Sequence, residues 1–317
     1  MPDLVLNIII ILIILTTIII AISYICYLQA FYNNKKVGNI YTLPGNEQYL
    51  KLKDKMDSIY FELEKIEYEE LTITSYDGKK LYAKYYHISD DAPLQIQFHG
   101  YKGSGNRDFC GGNKLARESG FNTLLVDQRS HGKSEGRTIT FGIKERHDCL
   151  SWIKYANHRF GNKPIFIAGL SMGASTVLMA SSLELPNNVF GIIADCPYSS
   201  PKEIISSVCK GKGIPPKLAY PFIKLGALVF GKFNLTETDC IKAVKSSKVP
   251  ILIIHGEDDR FVPCEMSREI VKNCNDVTYK TFENAGHGLS YMVDTEKYKQ
   301  IVNNFIKECY KKKGYEM

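Results

Sequence analysis

Apolar residues along this chain follow one rule before about residue 70 and another after it. Between Leu4 and Leu28 the positions are dominated by Ile, Leu, Val, Ala and Thr, and none is charged. At 1.5 Å per residue such a stretch makes a helix of roughly 37 Å, longer than the ~30 Å hydrocarbon core of a bilayer. The pattern predicts a transmembrane anchor over 4–28. A cleaved signal peptide is the rival reading, but a basic leading region and a small-x-small cleavage site are both missing around Ile22 to Cys26. Residues 29–70 then read as a juxtamembrane segment in which Leu52, Met56, Ile59, Tyr60 and Leu63 recur at helical spacing among charges.

From Leu71 the period shortens. Leu71–Tyr76 and Lys80–His87 alternate around Asp77-Gly78, a hairpin whose turn pair favours type I′ geometry. Apolar runs at 94–98, 123–126, 165–168, 191–194 and 251–254 are short and bounded by Gly, Pro or Asp, as strands covered on both faces are, and Val277–Phe282 reads as the last strand. Helix-length segments at Asn113–Ser119, Ile143–Arg159 and Ala174–Leu183 lie between them. This alternation predicts an α/β fold with a mostly parallel, doubly wound sheet. Tyr198–Lys248 breaks the alternation, being long, rich in Pro and Gly, and strongly apolar from Leu218 to Phe233, and is read as a helical cap insert. The expected organisation is an anchor (4–28), a juxtamembrane segment (29–70) and a catalytic domain (71–317) carrying the cap (198–248). Since every strand and motif loop lies beyond Leu71, a fragment beginning at Gly45 is expected to retain the chemistry.

The candidate chemistry centres on Gly169-Leu170-Ser171-Met172-Gly173, which stands between an apolar strand and a run of small residues. A strand turning sharply into a helix strains its central residue and needs glycine two positions to either side, which describes a nucleophile elbow. A Ser nucleophile also needs an acid and a base later in the chain. The buried strand Val249–Gly256 runs into Glu257-Asp258-Asp259, placing Asp259 where an acid belongs, with Asp258 and Asp195 as competing positions. Glu283–Gly288 is a glycine-flanked loop that can present His287. The imidazole would take the Ser171 proton and Asp259 would hold its tautomer, which requires no metal or organic cofactor. His99, His131 and His255 each adjoin a glycine and read as structural, and Asp127 and Arg129 as groups that tie loops together.

In chain order, His99-Gly-Tyr-Lys-Gly103, Asp127 to Ser134, the Ser171 elbow, Ala194-Asp-Cys-Pro197, His255-Gly-Glu-Asp-Asp259 with Val262-Pro263, and Ala285-Gly-His-Gly288 resemble an α/β-hydrolase of the membrane-anchored bacterial esterase group. That group is similar to S33-like serine aminopeptidases and cinnamoyl-esterase-like hydrolases. The resemblance covers about Leu71 to Tyr310 and implies the α/β-hydrolase fold. It also implies an oxyanion hole formed by the backbone N–H groups of Tyr101 and Met172. The activity it implies is hydrolysis of carboxylic esters or thioesters, of small-molecule or lipid-like acyl substrates, through an acyl-enzyme on Ser171. An aminopeptidase-like serine peptidase and a catalytically silent binding module are the alternatives. Dehalogenase and epoxide hydrolase readings fall because their nucleophile is Asp.

Charge and cysteine content refine this picture. The formal charge of +6 over 317 residues is concentrated between Tyr198 and Lys248, where Lys202, Lys210, Lys212, Lys217, Lys224, Lys232, Lys242, Lys245 and Lys248 face only Glu203, Glu237 and Asp239. The insert has no arginine and no recognisable reading motif, so nucleic acid is not an expected partner. A solvated lysine face is the default reading, and attraction to an anionic bilayer or substrate is the alternative. Only Asp3 precedes the apolar stretch, whereas Lys35, Lys36, Lys51, Lys53 and Lys55 follow it. That bias expects a single-pass protein of the cell membrane with a cytoplasmic catalytic domain. Nine cysteines, an odd number without a C-x-x-C pair, agree with a reducing compartment and argue against structural zinc. Cys149 and Cys196 read as small buried thiols.

Overall fold

The computed structural model describes residues 2–34, 43, 45 and 47–315. Lys35 and Lys36, which entered the orientation argument, lie outside them. The chain begins with α1 (Pro2–Ala30), continues through α2 (Glu47–Lys51) and α3 (Lys53–Glu64), and enters the sheet at β1 (Glu69–Thr74) and β2 (Lys80–Tyr86). Next come β3 (Leu94–Phe98), α4 (Gly105–Glu118), β4 (Asn122–Asp127), α5 (Glu145–Phe160), β5 (Ile165–Leu170), α6 (Met172–Ala180) and β6 (Val189–Asp195). The insert contributes α7 (Pro201–Gly211), α8 (Pro216–Val229) and α9 (Cys240–Val244). β7 (Ile251–Gly256), α10 (Cys264–Val271), β8 (Val277–Phe282), α11 (Ser290–Val293) and α12 (Thr295–Lys312) complete it.

The eight strands form one sheet in the order β1-β2-β4-β3-β5-β6-β7-β8. β2 runs antiparallel to both neighbours, and every pairing from β4 to β8 is parallel. Because helices cover both faces, β3, β6 and β7 are buried along their full lengths, which is why they read as continuous apolar runs. Trp152 of α5 and Val177 of α6 pack on one face, Leu115 of α4 and Phe305 of α12 on the other. This is the α/β-hydrolase fold with helical insertions, as the alternation predicted.

Two local expectations are corrected. The hairpin turn is not type I′, which needs positive φ at both central residues. Gly78 N–H bonds Ser75 O at 3.1 Å and only Gly78 takes positive φ (82°), so the turn is type I with a glycine bulge. Asp77 stays in the ordinary region with its carboxylate bound by the Ser75 hydroxyl and Arg129. The helix expected at Asn113 begins at Gly105 instead, where the Ser104 side chain caps it. Gly111-Gly112 looks like a helix breaker in sequence. In the fold the Tyr291 ring packs directly on Gly111, where a Cβ would collide with it.

The third correction concerns α1. Its apolar side chains from Leu4 to Ile22 are exposed, and it is the one helix among the described residues long and apolar enough to cross a membrane. Its last two turns belong to the domain. Phe31 is fully buried, edge-on to Phe141 and Phe233. The Tyr27 hydroxyl meets Thr138 Oγ1 at 2.8 Å, and Ile139 N–H donates to Phe31 O at 2.8 Å. A Cβ on Gly226 of α8 would overlap the Ser23 carbonyl, so α1 and α8 pack nearly backbone to backbone. Tyr27 and Phe31 are therefore part of the core, so a fragment beginning at Gly45 would lack contacts that the domain makes with the end of α1.

Candidate active site

The sheet aligns the carboxyl ends of its parallel strands, and the motif loops gather there, where such sheets build their sites. β5 ends at Leu170 and α6 begins at Met172, leaving Ser171 alone to make the turn at φ 55°, ψ −114°. That strained conformation demands clear space around it. A Cβ on Gly169 would overlap the Gly173 carbonyl, and one on Gly173 would overlap the carbonyl of Phe98 on β3. The two flanking glycines are thus dictated by close packing of strand and helix.

His287, on the loop after β8, places Nε2 2.9 Å from Ser171 Oγ and Nδ1 2.7 Å from Asp259 Oδ2. Asp259, on the loop after β7, is itself wrapped by its own turn. Its Oδ1 accepts from the amides of Phe261 (2.9 Å) and Val262 (2.8 Å). Burial pushes this carboxyl up, but the His287 and His255 imidazoles outweigh it and hold Asp259 below the usual carboxylate range. An ionised carboxylate can only accept, so His287 Nδ1 carries the proton and Nε2 is left to accept from the Ser171 hydroxyl. The geometry thus chooses among the three acids: Asp258 is exposed, and Asp195 is buried with its Oδ2 accepting from Tyr298 at 3.0 Å.

A second Ser–His contact adjoins the first. His255 Nδ1 lies 2.6 Å from Ser267 Oγ, while its Nε2 faces Val262 O at 2.9 Å and Asp259 Oδ2 at 3.2 Å. His255 and Ser267 are wholly buried and cannot meet a substrate. Their effect is to brace the Asp259 turn, consistent with the structural reading of His255.

Tyr101 and Met172 present the amides expected of an oxyanion hole. Met172 is the first residue of α6, where helix N–H groups lack intrahelical partners, and among the described residues neither amide donates to the protein. The Tyr101 loop is held by Asp108, which the sequence reading missed, and by His131, which it reads as structural. Asp108 of α4 accepts from the Gly100 amide at 2.8 Å and pairs with Arg107 at 2.6 Å. His131 Nε2 accepts from Lys102 N–H at 3.0 Å, and burial together with neighbouring His99 lowers its pKa to about 3, so the ring stays neutral. Tyr49 of α2 was also missed; its hydroxyl donates to the His287 carbonyl at 2.5 Å. None of these contacts leaves a motif, because each joins a side chain to a distant backbone atom. Arg129 joins Asp148 of α5 (2.6 Å) to Asp77 of the hairpin (3.0 Å).

Cys196 lies beneath the histidine, its ligand atom within 4.8 Å of those of Asp259 and His287. Burial raises its thiol well above the ordinary value, and Asp259 and His287 already bond each other, so the trio is the floor of the site rather than a metal cradle. Ser171 opens instead into a cavity of about 450 Å³. Tyr101, Lys102 and Phe141 line it, with Ile204, Ile205, Val208 and Lys212 of the cap and Cys26, Gln29 and Ala30 of α1. All nine lysines of the insert are exposed, as a solvated face requires, and of them only Lys212 reaches this cavity.

Known proteins are similar to this chain. The family model described as serine aminopeptidase, S33, matches residues 94–235 and 229–294. The uncharacterized protein YqkD of Bacillus subtilis is 25% identical over 195 residues, 61% of this chain and 64% of its own length. The lysophosphatidylserine lipase ABHD12 of Danio rerio is 23% identical over 187 residues, 56% of this chain and 46% of that protein. The chain therefore covers less than two thirds of the length of either relative. Among solved structures, the Pyrococcus furiosus esterase Pf2001 superposes with a TM-score of 0.63 at 24% identity, over 86% of this chain and 97% of that one, a likeness of fold. With the family model spanning most of the sheet and the elbow serine, histidine and aspartate brought together within it, the chain belongs to the serine aminopeptidase S33 family of α/β-hydrolases and has the constellation of a serine hydrolase.

Proposed function

We propose that the protein hydrolyses acyl esters of lipid-like molecules, with Ser171 as nucleophile, His287 as base and Asp259 as its orienting acid. The observation that carries the reading is that Ser171, already bonded to His287, opens into a largely apolar cavity of about 450 Å³. That volume falls within the ~300–1,000 Å³ typical of small-ligand sites. Ser171 Oγ attacks the acyl carbon while His287 Nε2 takes its proton, and the tetrahedral oxyanion is received by the amides of Tyr101 and Met172. Collapse expels the alcohol, protonated by His287, and water activated by the same imidazole releases the acid.

A lipid-like substrate is favoured by the apolar cavity and by the name of the Danio rerio relative. Apolar exposed α1 supports attachment to the cell membrane as a single-pass anchor, and the lysines at 51, 53 and 55 favour a cytoplasmic catalytic domain. The aminopeptidase reading is the weaker one. A peptide α-amine needs a carboxylate, and the described residues lining the cavity include Lys102 and Lys212 but no acid. The test is labelling by a fluorophosphonate and turnover of p-nitrophenyl esters. Ser171→Ala and His287→Ala are each expected to abolish both, and the double variant to lose little more, since triad members act as a unit. Equal labelling of wild type and Ser171→Ala would sink the reading.

A further inference from the structure

We infer that the last two turns of α1, through Cys26, Gln29 and Ala30, form one wall of the acyl-chain site, so that the N-terminal helix sets chain-length specificity. The inference rests on the proposed ester hydrolysis at Ser171 and adds the part of the molecule that receives the acyl chain. Three observations carry it. These three residues line the cavity that opens on Ser171, together with Ile204, Ile205 and Val208 of α7. The wall is fixed in place. Ala30 O accepts from the hydroxyl of Tyr101 at 2.9 Å, so the end of α1 is tied to a residue that lines the same cavity as Ser171. Tyr27 is bonded to Thr138, Phe31 is fully buried, and Gly226 lets α8 approach until a Cβ there would lie 3.3 Å from Tyr27 Cβ. A helix merely tethering the domain would need none of these contacts.

The third observation is continuity. Ahead of Ser23 the helix is exposed and predominantly apolar, with Ile22 and Ile19 among its side chains and Asn7, Thr16 and Thr17 as its few polar ones past Asp3. An acyl chain lying against the upper part of α1 can follow its surface to the cavity without leaving an apolar environment. The occupant is therefore the hydrocarbon chain of an amphiphile, and the α1 wall limits how far that chain extends beyond the reacting carbonyl. Each buried methylene contributes about fourfold to apparent affinity, so a wall that moves inward by a few methylenes has a measurable effect.

The experiment uses the full chain in detergent micelles with p-nitrophenyl esters from acetyl to hexadecanoyl, alongside fluorophosphonate labelling. Cys26→Trp, which fills the wall side of the cavity, is expected to cut kcat/KM for dodecanoyl and longer esters at least tenfold while acetyl turnover and labelling stay within twofold. Ile25→Trp, one position round the helix on its exposed side, is expected to leave the whole profile unchanged. Cys26→Ala, which enlarges the cavity, is expected to raise the ratio of hexadecanoyl to dodecanoyl turnover. A Cys26→Trp profile parallel to wild type, or a uniform loss accompanied by an unchanged Cys26→Ala ratio, would overturn the inference. Wild-type protein that labels at Ser171 yet hydrolyses no ester of any length would instead overturn the proposed function.

Discussion

Asp259 holds four donors at once: two backbone amides of its own turn on one oxygen, and His287 and His255 on the other. Its ionised form is what this arrangement favours, which suits the orienting role proposed for it. Asp259→Asn is expected to lower kcat by about 10⁴ with little change in fold, whereas exposed Asp258→Asn should stay near wild type. Steady-state kinetics on a short ester would separate the two. Asp195 gives an opposite test. Burial raises its pKa from 3.8 to about 6 against the hydrogen bond from Tyr298, and its Oδ1 has no partner. A carboxyl raised in the folded state costs stability as pH climbs from 3.8 to about 6, because the folded protein must then hold a buried charge. Asp195→Asn should therefore stabilise at pH 8 by up to about 3 kcal/mol and lose that gain below pH 4, read as melting temperature against pH. A large fall in activity on this change would move the acid assignment away from Asp259. Ser171, His287 and Asp259, which the fold brings into one hydrogen-bonded row, were legible in the sequence because each occupies a short loop with its own glycines. Asp108 and Tyr49 were not, since they act on backbone atoms of Gly100 and His287, and backbone partners leave no residue signature.

At the level of elements, strands were easier to read than helix starts. A buried parallel strand needs only a short apolar run between turn residues, and the run at 251–254 is a clear instance, falling within β7, which is buried along its whole length. α4 hid its first two turns because Ser104 caps the helix ahead of a Gly-Gly pair, and helix propensity there is overridden by Tyr291 packing on Gly111. The cap illustrates how composition can be right while geometry narrows its meaning. Its nine lysines raise the local potential, but Lys212 alone of them lines the cavity, opposite Lys102 of the oxyanion loop. Burial and the Lys212 charge hold the Lys102 ammonium below its usual value, and neither lysine is ion-paired among the described residues. An anionic group on the substrate would relieve that repulsion. Lys212→Gln should raise KM for an anionic ester several-fold and leave a neutral short ester unchanged, reproducing most of the effect of replacing Lys210, Lys212 and Lys217 together. Added salt should act in the same direction, over a reach of about 10 Å at 0.1 M. Equal responses of the two substrates would reduce the charge to a solvated face.

For the whole molecule, the feature least legible in the sequence is the junction between α1 and the domain. An apolar run reads the same whether its side chains meet lipid or protein, so nothing distinguished Phe31, fully buried, from Ile13, 59% exposed. Only the fold reveals that α1 changes environment near Ser23, where its backbone meets Gly226. Two fragments test what that junction contributes. One beginning at Ile22 keeps Tyr27, Phe31 and the Ala30 carbonyl that receives Tyr101, and discards the exposed turns. It should melt within a few degrees of the full chain and hydrolyse a short ester at a comparable rate. A fragment beginning at Gly45 removes the whole wall. Deleting one buried Phe side chain alone typically costs about 3–5 kcal/mol. At roughly 2–4 °C per kcal/mol for a domain of this size, its melting temperature should fall by about 10 °C or more. Its cavity would also open to solvent on the α1 side, so long-chain esters should suffer more than acetyl ester. Calorimetry and the ester series on both fragments give the comparison. Equal melting temperatures and equal chain-length profiles would mean that the helix end rests on the domain without supporting it.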